Sequence, residues 1–148
     1  MIRYALLFAI LTLAIPLHAQ ERALRVPFHA VNGMILLEGT VNGKLAALLF
    51  DTGADNSIIA PQFAGMSANL DPLKAGNGAG AGGDYTKAKI DLRLEKRHWI
   101  ERAVLVMDLS EVSKRLGTPI NGFIGQDILR EFSTVRIDYK AGVVEFEK

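Results

Sequence analysis

The chain has no cysteine in 148 residues. It therefore forms no disulfide, offers no thiol nucleophile or thiolate metal ligand, and cannot take a lipid through a thiol. Stability has to come from packing, and from a second subunit if there is one. Histidine is scarce as well. Of the three, His18 falls in the N-terminal leader described below, and His29 and His98 lack the short spacing that would seat one metal ion. Both read as surface or strand residues. None of the serines lies in a G-x-S-x-G elbow, which removes the hydrolase nucleophile of that kind. No charge of one sign dominates. There are 17 basic and 16 acidic residues, and taking away residues 1–19 removes Arg3 alone, leaving 16 of each in the remaining 129 residues. A nucleic-acid binder needs a basic excess to displace counterions, so that class is set aside.

Long apolar runs are also few. The block Ala5–Leu17 has 13 residues, against the roughly 17–25 of a membrane-spanning helix. It lies between Met1-Ile2-Arg3-Tyr4 and His18-Ala19-Gln20, the three-part layout of a secretory signal with a small residue at the cleavage position. The expectation is a signal peptide over 1–19, removed after Ala19, with an uncleaved anchor as the alternative. It is followed by a single domain over 20–148 with no membrane span in the mature chain. The protein would then be exported, to the periplasm or beyond the cell.

What is present reads mostly as β-structure. Two apolar runs, Met34–Val41 and Lys44–Phe50, flank Asn42-Gly43, a dipeptide whose tolerance of positive φ makes it a strong hairpin signal. The second run ends at Leu48-Leu49-Phe50-Asp51-Thr52-Gly53-Ala54-Asp55, with Ser57-Ile58-Ile59 beyond. Pro61 opens a mixed stretch to Leu73 that reads as a short helix or irregular loop. Gly76, Gly78, Gly80, Gly82 and Gly83 fall within eight residues, which suits a mobile hairpin tip. Ala88, Ile90, Leu92 and Leu94 then alternate with charged residues as in a half-buried strand, and Lys96-Arg97 is expected to turn the chain. Trp99–Met107 follows as a strand whose run Ala103–Met107 is apolar enough to be covered on both faces. Leu109, Val112 and Leu116 have helical spacing, with Asp108 or Ser110 as cap and Gly117 as stop. After Phe123-Ile124-Gly125, the segment Gln126–Phe132 puts Ile128, Leu129 and Phe132 on one helical face. A closing hairpin is predicted over Val135–Tyr139 and Val143–Phe146, turning at Lys140-Ala141-Gly142.

Chemistry points to Asp51. A carboxylate at the end of a buried strand is costly unless it is hydrogen-bonded, shares its charge or reacts. Gly53 lets the backbone turn there, and the Thr52 hydroxyl can bond nearby or across an interface. Asp-Thr-Gly-Ala-Asp, a later glycine-rich segment, Phe123-Ile124-Gly125 and a short helix with a closing hairpin come in an order that resembles the retropepsin-like aspartic peptidases. These are the retroviral-type, single-lobe members, here of a bacterial, exported kind.

The resemblance implies an all-β, closed barrel or sandwich of the acid protease fold, with one or two short helices and a glycine-rich flap hairpin. It implies an aspartic endopeptidase in which Asp51 is catalytic and the active site forms by homodimerisation, two carboxylates sharing one proton and binding one water. Thr52 resembles the family residue that links the two loops across the dimer. Gly53 resembles the one whose backbone meets substrate near the cut, and Asp55 the acid that binds peptide main chain. Gly82 and Gly83 are placed at the flap tip, with Tyr85 as a wall of the cleft or an ordinary strand residue. The partner is a peptide or protein substrate, and neither metal nor organic cofactor is required. In retroviral proteases an arginine follows the Ile-Gly pair and binds the acid matched by Asp55, whereas this chain has Gln126. The alternative of another class is a non-catalytic peptide-binding or scaffolding domain of the same fold in the cell envelope.

Two motifs are set aside. Gly78, Gly80 and Gly83 satisfy the dinucleotide pattern G-x-G-x-x-G, but no buried strand precedes them and no helix follows. Asp127, near a helix start, reads as a cap or first-turn acid, and Asp138 as part of a solvated strand face.

Overall fold

A computed structural model describes residues 23–65 and 85–148. The leader, the glycine-rich segment and the proposed flap tip at Gly82 and Gly83 lie outside the described residues. Among those described there are nine strands and two short helices: β1 (Leu24–Val31), β2 (Met34–Val41), β3 (Lys44–Phe50), β4 (Ile58–Ile59), β5 (Thr86–Leu94), β6 (Arg97–Val106), α1 (Ser110–Leu116), β7 (Gly122–Ile124), α2 (Gln126–Leu129), β8 (Thr134–Asp138) and β9 (Val143–Glu147). No described helix is long and apolar enough to cross a membrane.

Six strands close on themselves in the order β3-β7-β4-β6-β5-β2, the ring being completed by the β2–β3 hairpin. The outer edge of β2 continues through β1 to β9 and β8, so a three-stranded tail sheet hangs from the barrel. The Asn42-Gly43 turn carries both residues at positive φ. An identical dipeptide, Asn32-Gly33, makes the turn from β1 to β2. The sequence reading did not find β1, although it carries the same signal.

Strands β2 and β3 are apolar almost throughout because both of their faces are covered. Leu37 and Leu48 point into the main core with Val26, Ile59, Leu92, Ile124 and Phe146, while Leu36 and Leu49 join Ile58, Ala60, Leu109 and Ile120 in a second cluster. A fully buried Leu contributes about 1.5–3 kcal/mol, so these four fix the register of the hairpin that carries Asp51. Phe50 meets Phe146 edge to face, Phe146 packs on Phe132, and Phe132 on Trp99. This aromatic chain fastens the tail sheet and β6 to the strand that ends at Asp51.

Several local expectations shift. The β5–β6 turn is at Glu95-Lys96, with Glu95 at positive φ, one residue earlier than predicted. Ala103–Met107 is covered on both faces from Val104 onward: Val104 and Val106 are buried, Leu105 and Met107 pack half-buried against the second cluster, and Ala103 alone is exposed. The stretch after Pro61 is a series of turns as far as Gly65. Helix α1 stops at Gly117 in the left-handed conformation as predicted. Its first turn is held by Asp108, whose Oδ1 accepts the Ser110 N–H at 2.9 Å. Helix α2 ends at Leu129, with turns carrying the chain on to Phe132.

Candidate active site

Asp51 leaves β3 half-buried, and its backbone N–H donates to the Ile124 carbonyl at 3.0 Å. Strand β7 therefore sits directly behind it, in parallel register with Leu48, Leu49 and Phe50. The following turn folds back on the acid, since the Gly53 N–H donates to Asp51 Oδ1 at 2.9 Å. This is the only side-chain hydrogen bond of Asp51 among the described residues. The other carboxylate oxygen is left for solvent or substrate. Thr52, Gly53, Asp55 and Asn56 are all exposed, so the loop presents itself outward.

Close packing beneath the loop explains Gly122 in β7 and Gly125 just after it. A Cβ on Gly122 would stand 2.6 Å from the Ile58 carbonyl oxygen, and one on Gly125 would stand 2.7 Å from the Asn56 backbone and 2.8 Å from the Ala54 carbonyl oxygen. Only glycine lets the two segments approach this closely. Beyond Gly125 the chain turns into α2, whose first amides hold the loop: Gln126 N–H donates to the Ala54 carbonyl at 2.8 Å and Asp127 N–H to the Asp55 carbonyl at 3.1 Å. The Gln126 side chain adds a third tie, donating through Nε2 to the Thr52 carbonyl at 2.7 Å. It braces the Asp51 turn and leaves the Asp55 carboxylate with no hydrogen bond or ion pair among the described residues.

Sequence reasoning gave no role in the site to Ser57 or Arg102, and it read Asp127 only as a cap or first-turn acid. Ser57 is the one buried polar residue in the described core. Its N–H and hydroxyl both donate to Asp127 Oδ1, at 2.8 and 2.7 Å, and its oxygen accepts the Gly125 N–H at 3.0 Å. Asp127 does stand in the first turn of α2, but its carboxylate serves the loop rather than the helix. Arg102, from β6, lies 3.5 Å from Asp127 Oδ2 and 2.6 Å from Glu131 Oε1. The signal for Ser57 was its place between the loop and an apolar pair. Arg102 gave none.

The other candidates make no hydrogen bond to Asp51 among the described residues. Tyr85 is half-buried just before β5. His29 is exposed on β1 beside Glu38, and His98 is exposed on β6. Asp138 accepts the Ala141 N–H in the β8–β9 turn. No three His, Asp or Glu side chains among the described residues converge as metal ligands would.

The arrangement supplies one carboxylate per chain, fixed on its backbone, exposed on one side and backed by a glycine-bearing strand. A family model described as aspartyl protease matches residues 37–128, more than half of the chain and the whole of this site. Two solved structures share the fold. A retropepsin-like aspartic protease from Rickettsia conorii is 16% identical, with a TM-score of 0.57 over 84% of this chain and 89% of its own. The retroviral protease-like domain of Ddi1 from Leishmania major is 21% identical, with a TM-score of 0.52 over 78% of this chain and 89% of its own. No curated protein matches the chain.

Proposed function

This chain belongs to the aspartyl protease family, and from that premise we propose that it is an exported endopeptidase whose active site forms when two copies bring their Asp51 loops together. The observation that carries the reading is the state of Asp51: seated by Ile124 and Gly53, exposed on one side, and with no second carboxylate bonded to it among the described residues. In the dimer, two like charges in contact cannot both ionise, so the pair shares a proton. The ionised member takes a proton from a bound water as its oxygen attacks the scissile carbonyl carbon. The protonated member donates to the carbonyl oxygen. Proton transfer to the nitrogen then lets the C–N bond break. A peptide lies extended across the site and gains main-chain hydrogen bonds as an added strand would, with Gly53 and Asp55 as its contacts.

The test is turnover of a mixed peptide library by the mature protein. Wild type is expected to cut and to be blocked by a statine-type transition-state mimic, and Asp51→Asn to lose cutting while keeping its fold by circular dichroism. An Asp51→Asn protein that cuts as fast as wild type would overturn the mechanism. A folded wild type that binds peptides without cutting them would leave the scaffolding alternative in its place.

A further inference from the structure

Strand β6 contains one residue too many for its partner. Ile90 pairs with Arg102 and Leu92 with Trp99, so two steps on β5 span three on β6. The extra residue is accommodated at Ile100-Glu101, where Glu101 adopts φ 48°, a conformation that side-chain-bearing residues rarely take, and donates its N–H to Asp91 Oδ1 at 3.0 Å. Plain alternation from the buried Trp99 would turn Glu101 inward and Arg102 outward. With the bulge, Ile100 and Glu101 are both exposed and Arg102 joins the inner side, its side chain one quarter exposed.

There the guanidinium holds Asp127 at two points, donating to its carbonyl oxygen and facing its Oδ2 at 3.5 Å, while Nη1 pairs with Glu131 at 2.6 Å. Arg97 and the Trp99 indole N–H converge on the other oxygen of Glu131, at 3.2 and 2.9 Å. Asp127 has therefore one oxygen toward the cation and one toward Ser57. Ser57 passes the restraint to the Gly125 N–H, next to the Ile124 carbonyl that receives the Asp51 N–H.

We propose that Arg102 is a positioning residue for the catalytic loop, aimed inward by the Ile100-Glu101 bulge and acting through Asp127 and Ser57 on the seat of Asp51. This rests on the reading of the chain as an Asp51-dependent peptidase. The planar fork spans two acids at once, Nη2 on Asp127 and Nη1 on Glu131, a reach that the single nitrogen of a lysine does not match. Arg102 touches no reacting atom.

The experiment compares wild type, Arg102→Met, Asp127→Asn and the double variant in the mature protein. It reads kcat and KM on a cleaved peptide, Tm, and hydrogen exchange of the Ser57 and Gly125 amides. Arg102→Met should lower kcat about ten- to a hundredfold, the scale of a misplaced catalytic group, with little change in KM and with faster exchange at both amides. Asn at 127 keeps the acceptor for Ser57 without a charge that needs a cation. In that background Arg102→Met should therefore cost much less. An Arg102→Met protein with wild-type kcat and wild-type exchange would overturn the proposal, as would an equal loss in both backgrounds or a loss of kcat explained by melting at the assay temperature. If wild type itself shows no Asp51-dependent cleavage, the peptidase reading fails. The exchange data then decide the clamp alone, since unchanged protection of Ser57 and Gly125 removes it and selective loss in Arg102→Met upholds it.

Discussion

Ser57 shows how much one hydroxyl can hold together. It donates to Asp127 and accepts from Gly125, joining segments about 70 positions apart in the chain with no solvent to replace either bond. Ser57→Ala removes both at once and leaves a buried N–H and a carboxylate oxygen short of partners. The expected cost is about 1–3 kcal/mol in a denaturant titration, with the m-value unchanged. A loss within experimental error would mean that the cross-tie carries no stability. Asp51, Thr52 and Gly53 stood out as candidates because the carboxylate and the turn that folds back on it lie in consecutive residues. Ser57 could not, because Ser-Ile-Ile reads simply as the start of a strand and its partners come from the far end of the chain. Gln126 was noticed as a departure from the retroviral pattern. Its bond to the Thr52 carbonyl is a property of the folded corner that no spacing announces.

At the scale of elements, runs of matched period were legible and interruptions were not. The bounds of β2 and β3 follow from the apolar runs and Asn42-Gly43, whereas β1, with Arg25, Pro27 and His29 on its outward side, lacks a continuous apolar run. The bulge in β6 was invisible for a similar reason, since Trp99-Ile100-Glu101-Arg102 gives no local mark of an extra residue. Helix α1 offers a test of capping. The Ser110 N–H, and after it the Ser110 side chain, stabilise the ionised form of Asp108 and hold its carboxyl below the usual value of 3.8. A lowered folded-state value means that the stabilisation is fully present above about pH 3.8 and is lost as acid titrates the folded group. Melting wild type beside Asp108→Ala should therefore show a constant difference in Tm near neutrality that shrinks below that pH. A difference that persists undiminished at pH 2 would contradict the assignment.

For the molecule as a whole, the closed barrel was legible through the order of its motifs, not through any single pairing. Periodicity finds strands, but it does not say that β3 and β7 lie side by side in parallel. The proposed dimer makes a prediction at this scale. Activity per chain should fall on dilution in step with the dimer fraction seen by sedimentation, because each copy supplies one Asp51. Full activity from a strictly monomeric population would refute it. The parallel pairing of Leu48 with Gly122 has a temporal consequence. A ribosome releases the acid long before the strand and corner that seat it, so a nascent or truncated chain ending short of Gly122 carries the reactive group without its mounting. In the proposed enzyme, cutting power thus arrives only with about the last fifth of synthesis.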